Sequence, residues 1–196
     1  MLQEKLRGLG VGITWSGAFF RAGLNVKDDL TKLGSADQQS LILDVELLKG
    51  FFTDPWTGVL KALSAVYRYG NGDQGLRLLI AKEYTPRTMI NSETIPPTAF
   101  DMQLANRFDK WSPDAQILAI IYGEGLVKSE EVCKKIQAAI TRRQIYLVNA
   151  ETLSTDTGEY NIQKLCAVYY LPNLHGPVQY VSARDHEYLR FWEGAL

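Results

Sequence analysis

Residues 111–153 constrain the fold of this chain most strongly, because helix-start and helix-stop signals alternate there with apolar segments. Ser112 and Pro113 suit a helix start, since a serine oxygen caps free N–H groups and proline fits the first helical turn. The apolar run that follows ends at Gly123, a residue type that often terminates helices. Ser129 begins a second predicted helix in the same way. That helix has an apolar face made of Val132, Cys133, Ile136 and Ala139.

The segment after this second helix resembles the start of a DNA-recognition helix. Residues 141–144, Thr-Arg-Arg-Gln, stand where a helix-turn-helix protein places the side chains that contact base edges. Arginine pairs with guanine, and glutamine with adenine, through two hydrogen bonds. Residues 128–143 hold five basic and two acidic side chains, whereas the whole chain has a net charge of −1. The pattern predicts a nucleic-acid-binding site of Lys134, Lys135, Thr141, Arg142, Arg143 and Gln144.

The alternative is that residues 144–153 form a β-strand, because Ile, Tyr, Leu and Val in succession favour strands. The turn before this segment also lacks the glycine that is common in helix-turn-helix proteins. A helix there gives a winged-helix order of three helices and a hairpin. A strand there gives a three-stranded antiparallel sheet against helices, with the basic residues on a solvated face. The sequence leaves both alternatives open.

The first half of the chain shows apolar residues at helical spacing. Residues 35–49, 53–69 and 74–84 each combine a start signal with an apolar stripe and predict a compact helical bundle. Residues 85–98 contain three prolines and scattered polar residues, which is typical of a linker. We therefore expect an α+β protein with an N-terminal helical domain (residues 1–90) and a C-terminal helical and antiparallel-β domain (residues 91–196) that is winged-helix-like in one of the two alternatives.

The C-terminal third changes to a strand pattern. Residues 162–171 and 177–183 predict two strands of a hairpin, joined by a loop with proline and glycine. Residues 185–191 predict a short closing helix. Aromatic residues are concentrated in this part of the chain, and aromatic side chains are frequent at the centre of protein interfaces. The aromatic residues predict a protein-binding surface that comprises Tyr169, Tyr180, Tyr188 and Trp192.

Composition and charge narrow the classes of function. A net charge of −1 argues against a dedicated polyanion-binding protein, whose domains are usually strongly basic. The only two cysteines, Cys133 and Cys166, predict reduced and buried thiols in a cytoplasmic protein. No apolar run approaches the length of about 18 residues that a membrane-spanning helix requires. We therefore expect no membrane partner.

Signals of catalysis are sparse. The chain has two histidines, His175 in the predicted hairpin loop and His186 beside Asp185. One interpretation of His186 and Asp185 is a catalytic base with the carboxylate that orients it. The other interpretation is a pair of residues that caps the start of a helix. The chain has no zinc-type spacing of cysteines and histidines and no motif of a known hydrolase or phosphate-binding loop. We predict a protein without cofactor or metal, and a non-enzymatic function is favoured over an enzyme.

Two functional hypotheses follow from these patterns. The first is a non-enzymatic regulatory protein that binds DNA or RNA through the helix-turn-helix-like segment. The second is an adaptor or inhibitor that binds a protein through the aromatic C-terminal surface and does not contact nucleic acid. The near-neutral net charge favours the second hypothesis, whereas the Thr-Arg-Arg-Gln sequence favours the first.

Overall fold

The computed structural model describes residues 13–20, 24–25, 30–32, 40–43, 62–69, 76–82, 87–90, 99–101, 115–123, 125–154, 164–172 and 177–191. This part of the chain is mostly antiparallel β-strand, with helical residues only at 30–32 and 130–141 among the described ranges. The chain divides into two compact units. The first comprises Met1–Phe20 and Leu24–Gln103, and the second comprises Arg21–Gly23 and Leu104–Leu196. The sequence-based boundary between residues 90 and 91 remains a prediction.

The first unit is built from antiparallel strands. Its strands are β1 (Ile13–Phe20), β2 (Leu24–Asn25), β3 (Leu41–Leu43), β4 (Ala62–Tyr69), β5 (Leu76–Lys82), β6 (Thr88–Ile90) and β7 (Ala99–Asp101). Five of them form one sheet in the order β2-β1-β4-β5-β7, and β3 pairs with β6 in a separate two-stranded sheet. Residues 30–32 are helical.

The predicted N-terminal helical bundle is therefore wrong. Strands β3, β4 and β5 occupy parts of the three segments that the apolar spacing assigned to helices. The reason is visible in β4, where all five residues from Leu63 to Tyr67 are buried. A strand buried on both faces carries a continuous apolar run, and such a run also contains the spacing of a helix face.

The second unit combines one helix with short antiparallel sheets in the described residues. Its elements are β8 (Gln116–Tyr122), β9 (Gly125–Leu126), α1 (Glu130–Thr141), β10 (Ile145–Leu147), β11 (Leu165–Leu171), β12 (Gln179–Arg184) and β13 (Tyr188–Arg190). Four strands form a sheet in the order β12-β11-β8-β9, and β10 pairs with β13. The predicted hairpin of the C-terminal third is confirmed, because β11 pairs with β12 in antiparallel register.

Helix α1 packs on the four-stranded sheet and closes the core of this unit. The apolar face predicted for the helix is confirmed, since Val132 and Ile136 are fully buried and pack with Cys166 and Val168 of β11. The predicted start is confirmed as well: the Ser129 side chain accepts a hydrogen bond from the backbone N–H of Val132. Burial of this apolar face holds the helix in place.

Three predictions for the second unit are wrong. The apolar run before Gly123 is strand β8, buried at all seven positions, rather than a helix. Of the two alternatives for residues 144–153, the strand is confirmed at Ile145–Leu147 and the recognition helix is wrong, so the described residues contain neither a helix-turn-helix pair nor a winged-helix order. The predicted closing helix is a turn followed by β13. β-branched and aromatic residues favour strands where a neighbouring strand supplies cross-strand partners, as β11 does for β8 and as β10 and β13 do for each other.

Candidate functional site

The antiparallel pair of β10 and β13 exposes one apolar face. Ile145 lies opposite Arg190, and Leu147 lies opposite Tyr188. Residues opposite each other, or two apart on a strand, point to the same side of a sheet. These four residues therefore share one face, which we call the ribbon surface. Ile145 is 50% exposed and Tyr188 47% exposed, which is unusual for large apolar side chains in the described part of the chain.

The opposite face of the same strand pair anchors it to the core. Leu189 is fully buried, and Tyr146, its cross-strand neighbour, packs against the core cluster of the second unit. Alternation of side chains along each strand separates these inward residues from the ribbon surface. The ribbon surface is thus displayed by strands whose other side is fixed in the interior.

A turn that follows β10 braces this strand through side-chain hydrogen bonds. The hydroxyl of Tyr146 donates to the carbonyl of Thr152 at 2.6 Å, and the hydroxyl of Thr152 donates to the carbonyl of Leu147 at 2.7 Å. The Asn149 carboxamide oxygen accepts from the backbone N–H of Thr152 at 2.7 Å. A surface held in one conformation before binding loses less entropy when a partner docks.

The turn between β12 and β13 ties the ribbon to the four-stranded sheet. The carboxylate of Asp185 accepts a hydrogen bond from the hydroxyl of Tyr122 and a second one from the backbone N–H of Lys164 at 3.3 Å. The backbone N–H of Asp185 donates to the carbonyl of Lys164 at 2.9 Å. Burial of the phenol raises the pKa of Tyr122, and the adjacent Asp185 carboxylate raises this pKa further. Tyr122 therefore stays a neutral donor to Asp185.

The helix that precedes β10 ends in a Schellman motif. The backbone N–H of Gln144 donates to the carbonyl of Ala139 at 2.8 Å, and that of Arg143 donates to the carbonyl of Ile140 at 3.1 Å. Arg143 has a φ of 53°, the left-handed conformation that this motif requires after the helix. Arg142, Arg143 and Gln144 are all exposed and lead directly into Ile145.

The residues predicted to bind nucleic acid divide into two groups. Lys134 pairs with Glu130 at 2.8 Å, and Lys135 pairs with Glu131 at 2.7 Å, so acidic neighbours offset their charge on the exposed helix face. The hydroxyl of Thr141 donates to the carbonyl of Gln137 at the end of the helix. The second group is Arg142, Arg143 and Gln144, which the structure brings together in an exposed turn at the end of the ribbon surface.

The residues predicted to bind a protein are also separated by the structure. Tyr169 is fully buried in β11 and contributes to the interior. Tyr180 is partly buried in β12, and Tyr188 is exposed in β13. Trp192 lies outside the described residues. Of this set, Tyr188 is the member on the ribbon surface.

Sequence reasoning missed Ile145, Leu147 and Arg190 as site residues. Their alternation with Tyr146 and Leu189 is a strand signal, but each segment has only three residues. Which side of a short strand faces solvent depends on its partner strand, and β13 is far from β10 along the chain. No local pattern indicates this pairing.

The described residues offer little chemistry beyond binding. His186 is exposed in the turn after β12, and His175 lies outside the described residues. Burial raises the pKa of the Cys133 thiol to about 11, and burial also raises the pKa of the fully buried Cys166 thiol, so neither is an activated nucleophile. Within the described ranges, no three His, Cys, Asp or Glu side chains are grouped so that they could hold a metal ion.

Comparison of this chain with profiles of known protein families, with curated protein sequences and with solved structures found no match. Within the part of the chain that the structure describes, no helix is both long enough and apolar enough to cross a membrane.

Proposed function

We propose that this chain is a non-enzymatic adaptor or inhibitor that binds a protein partner through the ribbon surface. The observation that carries the proposal is the pair of half-exposed side chains, Ile145 and Tyr188, on a strand pair whose other face is anchored in the core. Single exposed apolar residues are common, but adjacent ones on a braced element are typical of interaction sites. Tyr and Arg, both present here, are the residue types that most often dominate the binding energy of protein interfaces.

Charge supports a protein partner over nucleic acid. The ion pairs of Lys134 and Lys135 with acidic helix neighbours weaken the positive field that a phosphate backbone needs. The centre of the ribbon surface contains the aliphatic side chains of Ile145 and Leu147. Aliphatic side chains contribute more to a protein interface than to contacts with phosphates. Basic residues at one end of an apolar patch resemble the polar rim of a protein interface.

The proposal places the protein in the cytoplasm as a regulator of its partner. Both cysteines are free thiols, which supports a reducing compartment.

A display library of random dodecapeptides, selected on the intact chain, tests the proposal. Ile145→Glu and Tyr188→Glu each place a charge in the ribbon surface, and each should weaken selected peptides at least about tenfold, the usual effect of losing an interface anchor. Met89→Glu is the matched control, because Met89 is 47% exposed on β6 of the other unit. Circular dichroism confirms that each variant is folded. Selected peptides that bind both ribbon variants as well as the wild type would show the proposal to be wrong.

A second candidate function is binding of single-stranded nucleic acid at the same place. The specific observation is that, among the described residues, neither Arg142 nor Arg143 has an ion-pair partner, while the ring of Tyr188 is exposed on the adjoining ribbon. Aromatic rings stack on bases and arginines neutralise phosphates. A labelled mixed-sequence oligonucleotide should then bind with an affinity that falls steeply as salt rises. An oligonucleotide that fails to bind even in dilute salt excludes this candidate.

A further inference from the structure

Three residues other than glycine adopt the left-handed backbone conformation in the described part of the chain. They are Arg143 with φ 53°, Ser154 with φ 49° and His186 with φ 66°. A side chain at such a position brings Cβ close to the carbonyl oxygen, so glycine is the residue that adopts this conformation most readily. Each of the three positions would thus accept glycine without loss of backbone geometry.

The local structure at two of these positions normally selects glycine. Arg143 is the residue after the cap of α1, at which a Schellman motif usually carries glycine. His186 is the second central residue of the turn closed by the hydrogen bond from the Glu187 N–H to the Arg184 carbonyl at 3.0 Å. A positive φ at that turn position usually selects glycine or asparagine.

The same two residues lie at opposite ends of the ribbon surface. Arg143 is two residues before β10, which begins at Ile145, and His186 is two residues before β13, which begins at Tyr188. Because the strands are antiparallel, the two residues enter the ribbon from opposite ends. Strands of three residues are roughly 10 Å long, a distance that about three residues of an extended peptide span.

Packing does not explain either side chain, since both Arg143 and His186 are exposed. A conformation that costs stability persists where the surrounding structure imposes it, and such positions cluster at functional sites. Here the hydrogen bonds of the helix end and of the turn impose the backbone conformation, and an exposed cation and an exposed imidazole occupy it. Both side chains are thus exposed at positions where glycine would satisfy the backbone.

We propose that Arg143 and His186 are specificity-determining residues that recognise an extended, acidic segment of a partner protein lying along the ribbon surface. This inference rests on the proposed function. Arg142 and Arg143 concentrate positive charge at the Ile145 end, so an acidic side chain of the segment binds there. Apolar side chains of the segment cover Ile145 and Tyr188. At the other end, the imidazole of His186 donates a hydrogen bond to a carbonyl or hydroxyl of the segment.

The test replaces each residue by the one that its backbone prefers. Arg143→Gly and His186→Gly should keep the Tm within about 2 °C of the wild type, or raise it, because relief of the left-handed conformation offsets the greater freedom of glycine in the unfolded chain. Each variant should weaken the selected dodecapeptides at least about fivefold. Ser154→Gly is the matched control: Ser154 is exposed and left-handed but follows the turn after β10, so its replacement should leave peptide binding unchanged.

A second measurement examines the charge itself. The selected peptides should be enriched in Asp or Glu, and replacing that residue by Asn or Gln should weaken binding to the wild type but not to Arg143→Gly. Unchanged binding of the peptides to both glycine variants overturns the inference, as does a fall in Tm of more than about 5 °C, which would make the two side chains structural. The proposed function is decided separately, by Ile145→Glu and Tyr188→Glu. The inference of an acidic protein segment would also be overturned if oligonucleotides bind through Arg143 and peptides do not.

Discussion

The hydroxyl of Tyr122 donates a hydrogen bond to the carboxylate of Asp185, a residue 63 positions later in the chain. This contact joins the end of β8 to the turn that enters β13, while the same carboxylate accepts from the N–H of Lys164 just before β11. One carboxylate thus links three segments of the second unit. Because the turn leads directly to Tyr188, the contact also fixes one end of the ribbon surface.

Replacing this donor tests how strongly the contact stabilises the unit. Tyr122→Phe should lower the free energy of unfolding by about 1.5–3 kcal/mol, the range for hydrogen bonds to charged groups. Tyr146→Phe is the matched control, because its hydroxyl donates to the neutral carbonyl of Thr152 and should contribute only about 0.5–1.5 kcal/mol. Urea unfolding of both variants measures the difference. An equal loss in the two variants would contradict a special role of the Asp185 carboxylate.

The same contact predicts sensitivity to alkali. Burial and Asp185 raise the pKa of Tyr122 in the folded state above its unfolded value of about 10. A raised pKa means that the folded state holds the proton more tightly, so this stabilisation is fully present below pH 10 and is lost as the pH rises above it. Tyr122→Phe removes this contribution. The variant should therefore show a smaller fall in Tm than the wild type between about pH 8 and pH 11, as followed by circular dichroism. Identical falls would rule out Tyr122 as a source of the alkaline sensitivity.

The beginning of α1 could be predicted from the sequence, whereas its end could not. Ser129 carries a capping oxygen, and the apolar stripe of the helix has a regular period, so local chemistry identifies both. The helix ends at a left-handed residue that is usually glycine, but this chain has Arg143 there. Without the glycine, the basic residues were interpreted as the start of a further helix in one of the two alternatives.

Strand β8 shows why most of the fold was not predictable. Its seven residues are buried on both faces, so the alternation that distinguishes a strand is absent. The exposure of Ile145 could not be predicted from the sequence either, because it depends on the pairing of β10 with β13. The basic residues that the sequence predicted at the start of a recognition helix are exposed in a turn beside Ile145, since charged side chains are rarely buried. Sequence patterns thus indicated one end of the candidate site but not its apolar centre.

A buried glutamine offers a test of how α1 is held against β8. The side-chain amide of Gln137 donates to the carbonyl of Ala115 at 2.6 Å, and both residues are buried. Gln137→Leu leaves this carbonyl without its donor and should lower the free energy of unfolding by about 1–3 kcal/mol. Glu131→Gln, on the exposed face of the same helix, should change it by less than about 0.5 kcal/mol. If urea unfolding finds the two variants equally stable, the amide does not hold the helix to the strand.

Two isoleucines of the second unit differ in burial, because one lies in the core and the other on the proposed binding face. Ile136 is fully buried on the inner face of α1, and Ile145 is 50% exposed on the ribbon surface. Ile136→Ala removes packed methyl groups and leaves a cavity, so it should lower the free energy of unfolding by about 2–5 kcal/mol. Ile145→Ala removes the same atoms from a half-solvated position and should lower it by less than about 1 kcal/mol. Urea unfolding compares the two. A loss at Ile145 as large as that at Ile136 would mean that this side chain belongs to the core, and the ribbon surface would lose its centre.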